Sequence, residues 1–271
     1  MTEFSGRADP DRILPLLWRH AAADPAAATA VSTVGRPPRL SVDAVVTAAI
    51  ALADSDGLAA TSMARVAAAL GVGTMTLYTY APSRADLVDL MVDDVLVRHP
   101  LPAPGEPRPA GWRAQVELYA ERTLTMYEAH PWLCQVSTVR PPIGPGMLAD
   151  REYVLSTVAD LGLPSTGVDA AALAVVTFVT SAARQVAENI QLVRSTGQST
   201  DSWWGQRSRL WDEYFDVERH PTMTRLWNDG GFDSGTVEQT AHGHTFGLTA
   251  LLDGIEAAAV RAGRPAGSGP G

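Results

Sequence analysis

The run from Ser62 to Arg84 reads Ser-Met-Ala-Arg-Val-Ala-Ala-Ala-Leu-Gly-Val-Gly-Thr-Met-Thr-Leu-Tyr-Thr-Tyr-Ala-Pro-Ser-Arg, and it leaves the chain few choices. Ser62 is placed to cap a short helix with Met63, Val66, Ala67 and Leu70 on its inner face, the spacing of one helical stripe. Gly71 falls where that helix must turn sharply, and Val72 follows as an apolar plug. Ala67 and Ala68 are small enough for a second helix to cross at close range. That helix, about Gly73 to Tyr80, has only Leu77 and one edge of Tyr80 to bury, so Thr74, Met75, Thr76, Tyr78 and Thr79 face outward. So little apolar surface does not hold a short helix by itself. The pattern predicts a helix-turn-helix whose second helix presents side chains to a DNA major groove.

Charge qualifies that expectation. The 271 residues carry a formal net charge of −9, so any DNA contact has to come from locally placed cations rather than a basic coat. The length favours two units. Abundant alanine and scarce β-branched alternation point to an all-α fold. Cys134 is the single cysteine, which excludes an intrachain disulfide and a cysteine-cluster zinc site, and it reads as a small buried hydrophobe. No charged-then-apolar leader opens the sequence, and the apolar uncharged run Ala170 to Ala183 is too short to span a bilayer. A cytoplasmic protein with no membrane contact is expected.

Residues 1–40 read as an N-terminal extension and arm. Met1 to Asp9 has the composition of a disordered end; Asp9-Pro10-Asp11 then starts a short helix carrying Ile13, Leu14, Leu17 and Trp18. Whether that helix packs on the body or stands free is left open. Val34 to Arg39 is extended and cationic. Ser41 caps the next helix, along which Val45, Ala49, Leu52 and Ala53 recur, and Asp56-Gly57 ends it. Pro82 breaks the helix-turn-helix, and Ser83 with Asp86 forms a capping-box pattern opening a helix to about Arg98. The first domain therefore spans 41–99.

The proline-rich run Pro100 to Pro109 marks the boundary to a second, helical domain at 110–262, followed by a tail at 263–271. Helices are predicted at Trp112–Ala129, Met147–Leu161, Val168–Arg194 and Thr236–Arg261. Val168–Arg194 is apolar round most of its circumference and is expected to be buried on nearly all sides. An aromatic stripe at Trp204, Trp211, Tyr214 and Phe215 precedes the last helix, and it suits either a pocket lid or a solvated amphipathic helix.

Leu70-Gly71-Val72, then Thr76-Leu77-Tyr78, then Pro82-Ser83-Arg84 together resemble the tetracycline-repressor (TetR) family of bacterial transcription regulators, most closely over Ser41 to Leu96. His130-Pro131-Trp132-Leu133, Gly144-Pro145-Gly146 and Phe246-Gly247-Leu248 through Ile255 are similar to the C-terminal domain of the tetracycline-repressor branch. The sequence departs from the family pattern in Gly73, where serine is usual, in Ala81, where a bulky residue is usual, and in Arg84, which replaces the commoner lysine.

The resemblance implies a three-helix DNA-binding domain, a C-terminal domain for ligand binding and dimerisation, and a four-helix dimer bundle built from the long apolar helix and the last helix. It places Thr74, Met75, Thr76, Tyr78, Thr79 and Tyr80 at the DNA surface. Threonine hydroxyls suit base edges or phosphates, methyls suit thymine, and the phenols suit phosphate oxygens. Ser62 is a further phosphate donor, and Arg84 the clearest phosphate clamp. Arg65 divides evenly between a phosphate contact and a solvated charge, and the competing reading of Tyr78 and Tyr80 is core packing. Arg36 and Arg39 lie where an arm enters an adjacent minor groove, against the alternative of a plain linker.

Met126, Tyr127, Trp132, Met147 and Phe178 are the apolar candidates for an effector pocket, though such residues also build cores. No catalytic cluster, phosphate loop, cofactor motif or metal spacing stands out, since His242 and His244 do not share a helix face. The function expected is a homodimeric, ligand-responsive regulator, a repressor released from a palindromic double-stranded operator by a small-molecule effector. The alternative is a helical small-molecule-binding protein or enzyme that uses its first domain only as scaffold.

Overall fold

The computed structural model describes residues 2–20 and 40–263. The arm residues Arg36 and Arg39 lie outside the described residues. The described residues are overwhelmingly helical, as the composition predicts. By proximity of Cα atoms the chain forms two compact units, Met1–Asp160 and Leu161–Gly271. The division falls later than the proline-rich run, because the two helices that follow that run pack within the first unit.

Four helices build the reading head. α2 (Val42–Asp56) is capped by Ser41, whose hydroxyl accepts from the Ala44 N–H, and it ends at Gly57. Its stripe of Val45, Val46, Ala49, Ile50 and Ala53 is buried. A 3₁₀ turn, Leu58–Ala60, leads to α3 (Met63–Ala69), capped by Ser62 through the Arg65 N–H. Gly71 takes φ +68, a left-handed backbone that a side chain would strain, and the chain reverses into α4 (Thr74–Leu77). Ser83 then accepts from the Asp86 N–H while its own hydroxyl donates to the Asp86 carboxylate, and α5 (Arg84–Arg98) begins. Ser83 and Asp86 occupy the cap and third positions that the sequence pattern predicts, but the Asp86 carboxylate closes on the Ser83 hydroxyl rather than on its backbone N–H; the Ser83 cap itself stabilises by about 1 kcal/mol.

α5 is buried around most of its girth, and three of its buried residues are aspartates: Asp86, Asp89 and Asp93. Carboxylates survive such burial only with donors of their own. Asp89 receives the Gly6 N–H at 2.8 Å, and Asp93 receives the Met147 N–H at 2.9 Å. Burial is the main influence on both and pushes their carboxyls above the usual range, against the pull of those backbone donors.

The N-terminal residues are part of this body. Glu3–Phe4 forms strand β1, paired in parallel with β2 (Val136–Ser137). Ser5 is buried, and its hydroxyl reaches the carbonyls of Ser137 and Arg140. α1 (Pro10–Leu17) follows, capped by Asp9, and buries Ile13 and Leu17. Residues 2–9 thus depart from the disorder their composition suggests. A two-residue strand held by one buried serine and a tightly packed glycine leaves no periodic signature to read.

α6 (Trp112–Ala129) has the bounds its pattern predicts, and a 3₁₀ turn at Pro131–Gln135 leads to β2. α7 (Pro145–Val158) packs on both α5 and α6. Gly144 and Gly146 permit the first of those contacts. A Cβ on Gly144 would lie 2.3 Å from the Asp93 carboxylate, and one on Gly146 would lie 2.6 Å from the Asp93 carbonyl oxygen.

The second unit pairs α8 (Ser165–Thr196) with α11 (Thr236–Ala262). The Phe178 ring lies against Gly247, where a Cβ would come within 2.6 Å. α8 buries a stripe of small residues, Ala171, Ala172, Val175, Val179, Ala183 and Ala187. Leu173 and Leu192 of α8 stay exposed, as do Val237, Phe246 and Val260 of α11. Burial on nearly all sides is therefore not what the single chain provides. The intervening segment contains α9 (Thr200–Gly205) and α10 (Pro221–Asn228), and it gathers Trp203, Trp204, Trp211, Trp227 and Phe232 in T-shaped, stacked and tilted ring contacts.

Candidate nucleic-acid interface

α4 is one turn of regular helix, prolonged by the Thr79 N–H to Thr76 and the Tyr80 and Ala81 N–H groups to Leu77. Leu77 is fully buried and Ala81 equally so, and these two anchor the turn to the head. The rest of the turn is exposed or half-exposed. Met75 is 80% exposed and Tyr78 40%. Thr76 and Thr79 are exposed, while Thr74 and Tyr80 are half-buried. Five of the six expected reading residues thus lie on or beside one small protruding turn, and Tyr80 forms its edge. Threonine hydroxyls, a flexible thioether and a phenol offer donors, acceptors and methyl contacts at once, a set suited to major-groove base edges.

The flanking cations are arranged differently from the expectation. Arg84 does not point outward as a phosphate clamp. Its guanidinium donates to the Leu58 carbonyl at 2.9 Å, to the Thr61 carbonyl, and through Nε to the Glu3 carboxylate at 2.8 Å. A planar fork with donors on three sides engages the Leu58 carbonyl of the 3₁₀ turn, the Thr61 carbonyl just after it and one carboxylate together. That geometry makes Arg84 a brace between the start of α5 and the turn leading into α3. Arg65 is exposed and pairs with Asp56, and Ser62 is committed as the α3 cap at 3.2 Å. The Asp56 pairing competes with a phosphate contact at Arg65, whereas Ser62 caps through its oxygen and keeps its hydroxyl proton to donate.

The apolar pocket candidates fall in two places. Met126, Tyr127 and Trp132 are buried in the first unit. Trp132 is fully buried, and its indole N–H donates to Asp54 of α2 at 2.8 Å. His130 Nδ1 reaches the same oxygen at 2.8 Å. Trp132 is therefore a structural tie between α2 and the corner after α6. Met147 is half-buried, and its backbone N–H is the one held by Asp93. Phe178 belongs to the second unit and covers Gly247.

Two groups escaped the sequence reading. Asp150 of α7 sits where burial pushes its carboxyl up to about 6, partly offset by a hydrogen bond from Tyr119. A lone aspartate among mixed residues gives no periodic sign of such a site. The aspartates of α5 did leave one: positions 86, 89 and 93 share a helix face. An acidic stripe reads as solvated by default, which hid it.

Comparison with known proteins gives a consistent picture. Residues 45–91 match the family model described as bacterial regulatory proteins of the tetR family, and residues 102–259 match that of the tetracyclin repressor-like C-terminal domain. The HTH-type transcriptional repressor DrrR1 of Streptomyces coeruleorubidus is 36% identical over 260 residues, covering 94% of this chain and 88% of that protein. An HTH-type transcriptional regulator of Saccharopolyspora erythraea is 32% identical over 142 residues, 52% of this chain and 59% of that one. Among solved structures, apo ActR of Streptomyces coelicolor superposes with a TM-score of 0.68 at 24% identity, covering 84% of this chain and all of that one. ActR in complex with actinorhodin gives 0.66 at 26% identity, with the same coverage.

Proposed function

The chain belongs to the tetR family of bacterial regulatory proteins, and from that premise we propose that it is a homodimeric, cytoplasmic repressor, held on a palindromic operator and released by a small-molecule effector. The observation that carries the reading is the α4 turn, anchored by Leu77 and presenting Thr74, Met75, Thr76, Tyr78 and Thr79 outward. A single turn with no cation among those residues contributes little non-specific attraction. Two copies at a fixed spacing of about one DNA turn, roughly 34–36 Å, make up for that. The exposed apolar residues of α8 and α11 suit the face that would bring two copies together.

Release follows from coupling. An effector that prefers one arrangement of the ligand-binding part shifts the equilibrium by its differential affinity for the two states. Within the first unit, α7 grips α5 through Gly144, Gly146 and Asp93, and α5 carries the reading head at its N-terminus. Displacement of α7 therefore moves α5. The complex of ActR with actinorhodin and the repressor DrrR1 support a small-molecule-responsive repressor.

The test is selection of duplexes from a randomised pool by the full chain, followed by gel shifts at rising salt. Enrichment of an inverted repeat, bound as two chains per duplex, is the expected result. Enrichment of no sequence would overturn the reading.

A further inference from the structure

We infer that residues 2–20 are a strap that positions the DNA-reading head, with Glu3 acting through Arg84 as its point of attachment. The inference rests on the DNA-binding reading above. Three sets of contacts carry it. At the head, the Glu3 carboxylate holds the Arg84 guanidinium, which in turn holds the Leu58 and Thr61 carbonyls just ahead of α3. Along α5, the Gly6 N–H fills the Asp89 carboxylate, Arg12 faces Asp86 at 3.5 Å, and Arg19 pairs with Asp43 of α2 at 2.6 Å. At the far side, β1 pairs with β2, Ser5 Oγ donates to the carbonyls of Ser137 and Arg140, and the Trp18 indole donates to the Ile143 carbonyl at 2.9 Å.

The segment 136–143 lies directly between the Trp132 corner and the start of α7. The strap therefore ties the neighbourhood of α7 to the reading head by a route that bypasses the length of α5. Its fit is tight at one place. Gly6 takes φ +65, and a Cβ there would stand 2.5 Å from the Arg140 carbonyl oxygen. Ser5 is 1% exposed. A loosely draped extension has neither feature. The strap supplies α5 with a backbone donor for a buried carboxylate, so removing it leaves Asp89 without that partner.

Charge makes the inference testable, because two simpler readings predict the opposite sign. If Glu3 merely repelled DNA, or merely kept Arg84 from a phosphate, Glu3→Gln would tighten binding. A positioning role predicts weaker specific binding. The experiment measures the full chain and its Glu3→Gln and Ser5→Ala variants on a duplex selected by the wild-type chain, with a scrambled duplex of equal length as control. Measurements are made well below the melting temperature of each.

Both variants are expected to bind the selected duplex roughly three- to tenfold more weakly. Binding to the scrambled duplex and the slope of log K against log salt should stay unchanged, because the number of phosphates neutralised is the same. Ser5→Ala alters no charge, so its agreement with Glu3→Gln separates positioning from electrostatics. Unchanged or tighter specific binding in either variant overturns the strap. A wild-type chain that selects no duplex instead overturns the DNA-binding reading.

Discussion

The Trp132 indole N–H and the Asp54 carboxylate meet at 2.8 Å, tying the corner after α6 to the second half of α2. Trp132 is fully buried, and the hydrogen bond fixes its indole nitrogen against α2. Trp132→Phe removes the donor and part of the ring volume. It should destabilise by about 2–4 kcal/mol, combining a lost hydrogen bond to a charged acceptor with a partial cavity. Denaturant titration checks this, and a loss below about 1 kcal/mol would return Trp132 to the pocket candidates.

The α4 turn separates folding from reading. Thr76→Ala and Tyr78→Ala should weaken binding to the selected duplex by about 1–3 kcal/mol each, with melting temperatures nearly unchanged. Leu77→Ala should do the reverse first, destabilising by about 2–5 kcal/mol because Leu77 is fully buried. Parallel losses of stability and affinity at Thr76 would show that it belongs to the core.

Gly146 seats α7 against the backbone of α5. Gly146→Ala places a methyl 2.6 Å from the Asp93 carbonyl and 2.9 Å from the Leu96 Cβ, and neither neighbour can rotate away. The expected cost is about 1–3 kcal/mol, a fall in melting temperature of roughly 2–4 °C per kcal/mol. Hydrogen exchange should report faster opening in α5 and α7. Wild-type protection of both helices in the variant would show that the contact is slack.

Asp150 makes stability depend on pH with a definite sign. Burial pushes its carboxyl up to about 6 in the folded chain, against an ordinary aspartate value of 3.8. The folded state therefore holds the proton more tightly, and this group's contribution falls as pH rises from about 4 to about 6, then levels off. Asp150→Asn should gain about 1–3 kcal/mol at pH 7.5, and the advantage should vanish near pH 4. A gain that persists at pH 4 would trace to something other than the carboxyl's ionisation.

The reading head was legible because each of its signals is local. Ser41, Ser62 and Ser83 are caps, Gly71 is a turn, and Met63, Val66 and Leu77 keep helical spacing; all are visible within a few residues of sequence. The surroundings of Arg84 escape a local reading for the complementary reason. Its environment is made by Glu3 and by carbonyls 23 and 26 residues upstream, so a cation at the start of a helix gave no hint of being enclosed. The same holds for Asp54 with His130 and Trp132, partners 76 and 78 residues apart. His130-Pro131-Trp132 and Gly144-Pro145-Gly146 stood out by resemblance, and their physical reasons emerged only once α2 and α5 were seen beside them.

The aspartates facing inward from α5 bear on how such regulators can be recombined. Family models divide the chain between residues 91 and 102, which invites swapping reading heads at that seam. A head transplanted with that cut would arrive with Asp93 stripped of the Met147 amide and, if the first twenty residues were left behind, with Asp89 stripped of the Gly6 amide. Functional chimeras therefore require a discontinuous graft, in which residues 2–20 and the Gly144–Met147 seat travel with α5.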